Sequence, residues 1–149
     1  TDYYPKNLRP QIDKINDFVY NHINNGVYKC GFAKTQEAYD TAYEALFDAI
    51  EFLEDHLSKN EYLVGDRITE ADWRLFTTLV RFDSVYYTLY KCNKYRLIDS
   101  ENLHDYLVRL FEIPGIADTV NMDHIKRHYF ISQKNLNPSQ IIPNGPDMI

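Results

Sequence analysis

Apolar residues recur along most of this chain at spacings of three and four, the period of helices with one buried face, and no segment alternates clearly as a strand would. The first run, Leu8 to Ile23, puts Leu8, Ile12, Ile15 and Val19 on one face. Asn7 is its candidate cap, Pro10 falls in the first turn where a missing N–H does no harm, and Asn24-Asn25-Gly26 predicts its stop. A short loop, Val27 to Lys34, is expected next. Thr35 then opens a long helix with Glu37 in its first turn. Tyr39, Ala42, Leu46, Ile50, Leu53 and Leu57 keep helical register as far as Ser58-Lys59-Asn60, so the two helices read as an antiparallel hairpin.

The segment Tyr62 to Arg67 is too short for more than a turn or connector. Thr69-Glu70-Ala71-Asp72 places a capping hydroxyl three residues before a carboxylate, and Ile68 can staple onto Trp73, which predicts the indole in the core. This helix is expected to run through Phe76, Leu79, Val80 and Asp83 to the aromatic stretch Tyr86, Tyr87 and Tyr90. A fourth helix, capped by Ser100 and carrying Leu103, Tyr106, Leu107, Leu110 and Phe111, must end before Pro114-Gly115. Helical turns over Ile116 to Val120 and Met122 to Phe130 complete the set. From Ser132 the tail, with Pro138, Pro143, Gly145 and Pro146, is expected to drape over the bundle. The predicted fold class is all-α, a helical bundle over residues 1–131 with an extended tail over 132–149.

The net charge of -6 argues against nucleic acid or an anionic membrane as a partner, so any anion site must be local. No run approaches the roughly 18 consecutive apolar residues of a membrane span. Two cysteines, Cys30 and Cys92, lie far apart with no C-x-x-C pattern, which points to a reducing, cytoplasmic setting. The start, Thr1-Asp2-Tyr3-Tyr4-Pro5, has no initiator Met and no leader pattern, and reads as a cut with sequence expected upstream.

Thirteen tyrosines make the chain unusually aromatic. Tyr28, between Gly26 and Gly31, either faces a ligand or packs beneath a loop. Asp123-His124-Ile125-Lys126-Arg127-His128-Tyr129-Phe130 concentrates four potentially cationic side chains beside two aromatics: a local anion site or a solvated basic face. His124 and His128 share a helix face, as two metal ligands must, but no further ligand is evident and no metal is expected. Cys30 in the glycine segment and Cys92 beside lysines are either thiols of lowered pKa or inert small hydrophobes.

Four strings carry a family resemblance: Asn25-Gly26-Val27-Tyr28, Tyr62-Leu63-Val64-Gly65-Asp66-Arg67, Thr69 through Asp83, and His124-Ile125-Lys126-Arg127-His128-Tyr129. Together they resemble the C-terminal helical domain of the glutathionyl-hydroquinone reductases, the Xi class of glutathione transferases. The resemblance implies an N-terminal thioredoxin-like domain, absent from this chain, that binds the co-substrate glutathione and supplies a catalytic cysteine from a Cys-Pro motif. No Cys-Pro pair exists here, so no catalytic residue is expected in this chain. The helical domain would form the quinol side of the site, with Tyr28 and Tyr129 against the ring and Arg127, His124 or His128 steering an anionic quinol or glutathionyl-quinol. The implied reaction is reductive removal of glutathione from glutathionyl-hydroquinones by a homodimer. The alternative is a non-catalytic, glutathione-transferase-like protein interaction module.

Overall fold

A computed structural model describes residues 2–146 of the chain. Among them the helices are α1 (Arg9–Val19), α2 (Asn25–Gly31), α3 (Gln36–Lys59), α4 (Glu70–Arg81), α5 (Tyr87–Leu89), α6 (Glu101–Phe111) and α7 (Met122–Ser132). No strand occurs among the described residues, and the all-α bundle is the fold.

Local signals explain most of these elements. Thr35 caps α3 by accepting from the Ala38 N–H at 3.1 Å. The Asp72 carboxylate reaches back to the Thr69 N–H at 2.9 Å, which starts α4 where the sequence places it. That carboxylate is fully buried and also accepts from the Leu63 N–H at 3.1 Å and the Tyr106 hydroxyl at 2.6 Å. One side chain thus joins the connector before α4, the start of α4 and the middle of α6.

Several expectations are corrected. The chain does not stop helically at Asn24-Asn25-Gly26: α1 passes through a wide π turn, Tyr20–Asn24, straight into α2. Asn24 spends its amide on the Thr78 hydroxyl, 2.5 Å away on α4, rather than on ending the helix. Gly26 is where α2 meets α3, since a Cβ there would lie 3.1 Å from Leu46 Cδ1. Burial of Ile23, Val27 and Cys30 outweighs the roughly 1 kcal/mol helix penalty of glycine. Tyr28 therefore stands on a helix and not in a loop.

Asn7 is not a cap but part of a 3-10 turn, Lys6–Leu8, after Pro5. The Ser100 hydroxyl does not cap α6; the Glu54 carboxylate of α3 does, accepting from the Asn102 and Leu103 N–H groups at 3.1 and 2.8 Å. Trp73 is half-buried rather than in the core, with its ring edge-on to Tyr3 and Phe76. A second π turn, Phe82–Tyr86, follows α4 and swings the chain into α5. After α7 the tail folds back: Asn137 Nδ2 donates to the Phe130 carbonyl at 2.7 Å, and Ile142 packs on the core. The tail's last residues, 147–149, lie outside the described residues.

Candidate functional site

Three elements deliver tyrosines to one place. Tyr28 projects from α2, Tyr86 ends the second π turn, and Tyr129 lies on α7. The Tyr129 hydroxyl is 2.9 Å from that of Tyr28 and 2.8 Å from that of Tyr86. A fourth phenol, Tyr90, stacks on Tyr86 with ring centroids 5.2 Å apart, and its hydroxyl donates to Gln133 Oε1 at 2.8 Å. The stack requires Gly31, where a Cβ would come within 2.3 Å of the Tyr90 ring.

The cluster runs from core to surface. Tyr86 is 2% exposed, Tyr129 6% and Tyr28 38%, and Tyr28 stacks on Phe32, which is half exposed. Tyr28 and Phe32 form an open aromatic ledge backed by buried hydroxyls. Burial, and then the hydrogen bond with Tyr28, push the Tyr129 phenol up to about 12. Burial pushes Tyr86 far above the ordinary phenol range, with the Tyr129 contact adding to it. Both are therefore neutral near pH 7, each with one proton to donate. Either oxygen of each pair can be the donor, and donation from Tyr86 to Tyr129 would satisfy the buried Tyr86 proton. In that order Tyr129 would donate to Tyr28 and leave the Tyr28 proton for the ledge. The Arg81 guanidinium, held by the Thr77 carbonyl at 2.6 Å, favours negative charge on Tyr129.

Of the residues named from sequence, Tyr28 and Tyr129 come together, and the exposed His128 ring meets Tyr129 edge-on at 5.1 Å. Arg127 is exposed and pairs with Asp123 at 3.1 Å, and His124 is exposed in the first turn of α7. Among the described residues no bond or ring contact joins either to the phenols. Lys126 holds the tail instead, donating to the Pro143 and Asn144 carbonyls at 3.3 Å each. Sequence reasoning missed Tyr86, Tyr90, Gln133 and Arg81. The four-residue spacing of Tyr86 and Tyr90 was a usable signal. Nothing local announces Gln133 or Arg81. Among the described residues no three His, Cys, Asp or Glu side chains converge as a metal requires, and no helix is long and apolar enough to cross a membrane.

The family described as "Glutathione S-transferase, C-terminal domain" matches residues 36–109, which cover α3, α4, α5 and most of α6. The chain belongs to the glutathione transferase C-terminal domain family. It is 52% identical over 145 residues to the glutathionyl-hydroquinone reductase YqjG of Escherichia coli, covering 97% of this chain and 44% of that protein. It is likewise 52% identical to the glutathionyl-hydroquinone reductase PcpF of Sphingobium chlorophenolicum, over 97% of this chain and 46% of the relative. The chain thus spans about half the length of these curated relatives. The glutathione-bound structure of YqjG superposes with a TM-score of 0.96 at 51% identity, over 99% of this chain and 49% of that one. The Xi glutathione transferase of Phanerochaete chrysosporium superposes with a TM-score of 0.95 at 49% identity, over 98% and 47% of the two chains. This glutathione transferase C-terminal domain therefore has its likeness to the Xi class along almost its whole length, the phenol-bearing α2 and α7 included.

Proposed function

We propose that this chain forms the quinol-side wall of a glutathionyl-hydroquinone reductase. The observation that carries the reading is the hydroxyl chain from buried Tyr86 through Tyr129 to exposed Tyr28, which ends on the aromatic ledge with Phe32. An aromatic ring laid on Tyr28 and Phe32 would gain stacking, and its oxygen would receive the Tyr28 proton. In the reaction, a thiolate outside this chain takes the glutathionyl sulfur and the ring departs carrying one more proton than it brought. Neutral phenols backed by two further hydroxyls hold the ring oxygen and have a proton to supply. Glutathione is the co-substrate in this reading, held mainly by a thioredoxin-like domain docked on the ledge side.

The same proposal divides the chain into a bundle, 1–131, and a tail, 132–149, and places the protein in the cytoplasm as a homodimer. Arg127, His124 and His128 serve it as surface charges that draw in an anionic conjugate. The test is to join this chain behind the thioredoxin-like half of the Escherichia coli relative. Turnover of a glutathionyl-hydroquinone is then measured for the fusion and its Tyr28→Phe and Tyr129→Phe variants. The fusion is expected to turn over, and each variant to lose about two orders of magnitude, the worth of one preorganised donor. A folded, active fusion indifferent to both substitutions would sink the quinol-wall reading.

A further inference from the structure

Cys30 and Cys92, far apart in sequence, meet in the core. Cys30 lies on the inner side of α2 at 3% exposure, and Cys92, two residues beyond Tyr90, is fully buried. Cys92 Sγ is 4.0 Å from the Val27 carbonyl oxygen, one helical turn before Cys30, and 3.9 Å from that of Tyr90. In a helix the carbonyl of one residue lies beside the side chain three positions on, so the contact with the Val27 carbonyl sets the Cys92 sulfur against the turn that carries Cys30. The segment carrying Cys92 is pinned there: its N–H donates to the Tyr86 carbonyl at 3.1 Å. Lys91, just before it, adopts a left-handed φ of 60°, and the Tyr39 hydroxyl bonds its carbonyl at 2.5 Å.

The pair is asymmetric in access. Cys30 lines the wall of an open groove of about 340 Å³ whose other residues include Lys34, Gln36, Tyr39 and Lys91; Cys92 does not reach it. Two exposed ammonium groups at this groove stand out in a protein of net charge -6. They draw in a small anion. The neighbouring Cys92 thiol holds Cys30 below its ordinary value, while the neighbouring Cys30 and burial push Cys92 up. A single buried cysteine would be an inert hydrophobe. One thiol at a cationic groove with a second, shielded thiol against it is the arrangement of an attacking and a resolving cysteine.

We infer that Cys30 and Cys92 are a reversible oxidation site, with Cys30 attacking an anionic low-molecular-weight disulfide such as glutathione disulfide and Cys92 resolving the adduct. The Cys30 thiolate forms a bond to one glutathione sulfur and expels the other glutathione as a thiolate, which takes up a proton. Cys92, losing its proton to solvent, then attacks Cys30 Sγ and expels the second glutathione. One small disulfide is reduced to two thiols, and two protein thiols become one intrachain disulfide. The bond ties the end of α2 to the segment after α5, the elements that carry Tyr28 and Tyr90. The inference stands independently of the quinol reading.

The experiment is intact mass measurement of the folded chain after exposure to glutathione disulfide, with free thiols then blocked by alkylation. Wild type is expected to lose two hydrogens and resist alkylation. Cys92→Ala is expected to hold one glutathionyl group on Cys30, and Cys30→Ala to remain unmodified. Replacing Lys34 and Lys91 together with Glu is expected to slow the reaction by roughly tenfold at low salt, and to leave a neutral disulfide reagent unaffected. The wild-type result stands without the variants, should either cysteine change unfold the chain. The inference is overturned if folded wild type keeps two alkylatable thiols, if the bond forms only between chains or only in urea, or if Cys30→Ala is modified as fast as wild type. Equal rates for the charge-reversed and wild-type chains overturn the anionic reagent.

Discussion

The Tyr28 hydroxyl lies 2.9 Å from the Tyr129 hydroxyl although 101 residues separate them, and the Tyr129 hydroxyl lies a further 2.8 Å from that of buried Tyr86. This order sets different costs for removing each oxygen. Tyr28→Phe takes away a partly solvated hydroxyl and should cost about 1 kcal/mol or less in urea unfolding. Tyr129→Phe orphans the buried Tyr86 proton and should cost about 1–3 kcal/mol. Tyr86→Phe leaves the Tyr28 to Tyr129 bond intact and should fall between them. A Tyr28→Phe loss as large as that of Tyr129→Phe would contradict the outward order of donation.

Asp72 is expected to be among the most sensitive positions to truncation. Asp72→Ala strands the Thr69 and Leu63 N–H groups and the Tyr106 hydroxyl together in the core. With each buried orphan costing about 1–3 kcal/mol, a total of roughly 3 kcal/mol or more is expected by denaturant melting.

The pH dependence of stability has a definite sign at two carboxyls. Burial raises both Asp72 and Asp83 above the ordinary 3.8, against the pull of their hydrogen bonds. The native chain therefore holds protons there that the unfolded chain has already lost. Their contribution to stability falls as pH rises from 3.8 through the raised folded values and is flat above them. Unfolding free energies measured across that window should slope less steeply downward in Asp83→Asn than in wild type. An identical slope would place the titration elsewhere.

Two glycines of α2 should respond oppositely to alanine. At Gly26 the added methyl meets the flexible end of Leu46 at 3.1 Å and gains helix propensity, so the change should lie within about 1 kcal/mol of neutral. At Gly31 the methyl would sit inside the Tyr90 ring, and a loss of about 1–3 kcal/mol is expected, with a shifted near-ultraviolet tyrosine signal. Thermal melts of the two variants compare them directly.

Glu54→Ala should destabilise the fold by about 1–2 kcal/mol although Glu54 belongs to α3, because its carboxylate caps α6. Amide exchange at Asn102 and Leu103 should quicken in the variant, and unchanged protection there would refute the cap.

The sequence by itself determined the helical class, the beginnings of α3 and α4, and the end of α6, because three-four periodicity, a threonine cap and a Pro-Gly stop act within a few residues of themselves. Tertiary structure decided the rest. Asn24-Asn25-Gly26 is a stop by every local signal, yet burial of Ile23, Val27 and Cys30 against α3, and the bond from Asn24 to Thr78, carry the helix through it. Trp73 occupies a stapled position, but whether it is sealed in the core or left half-buried at its edge, against Tyr3 and Phe76, depends on where the neighbouring segments pack. Tyr28 and Tyr129 were legible as candidate side chains from their chemistry and their motifs. The bond between them, the support from Tyr86, and the meeting of Cys30 with Cys92 arise only when α2, the turn before α5 and α7 close around one core, a long-range condition that no local pattern encodes.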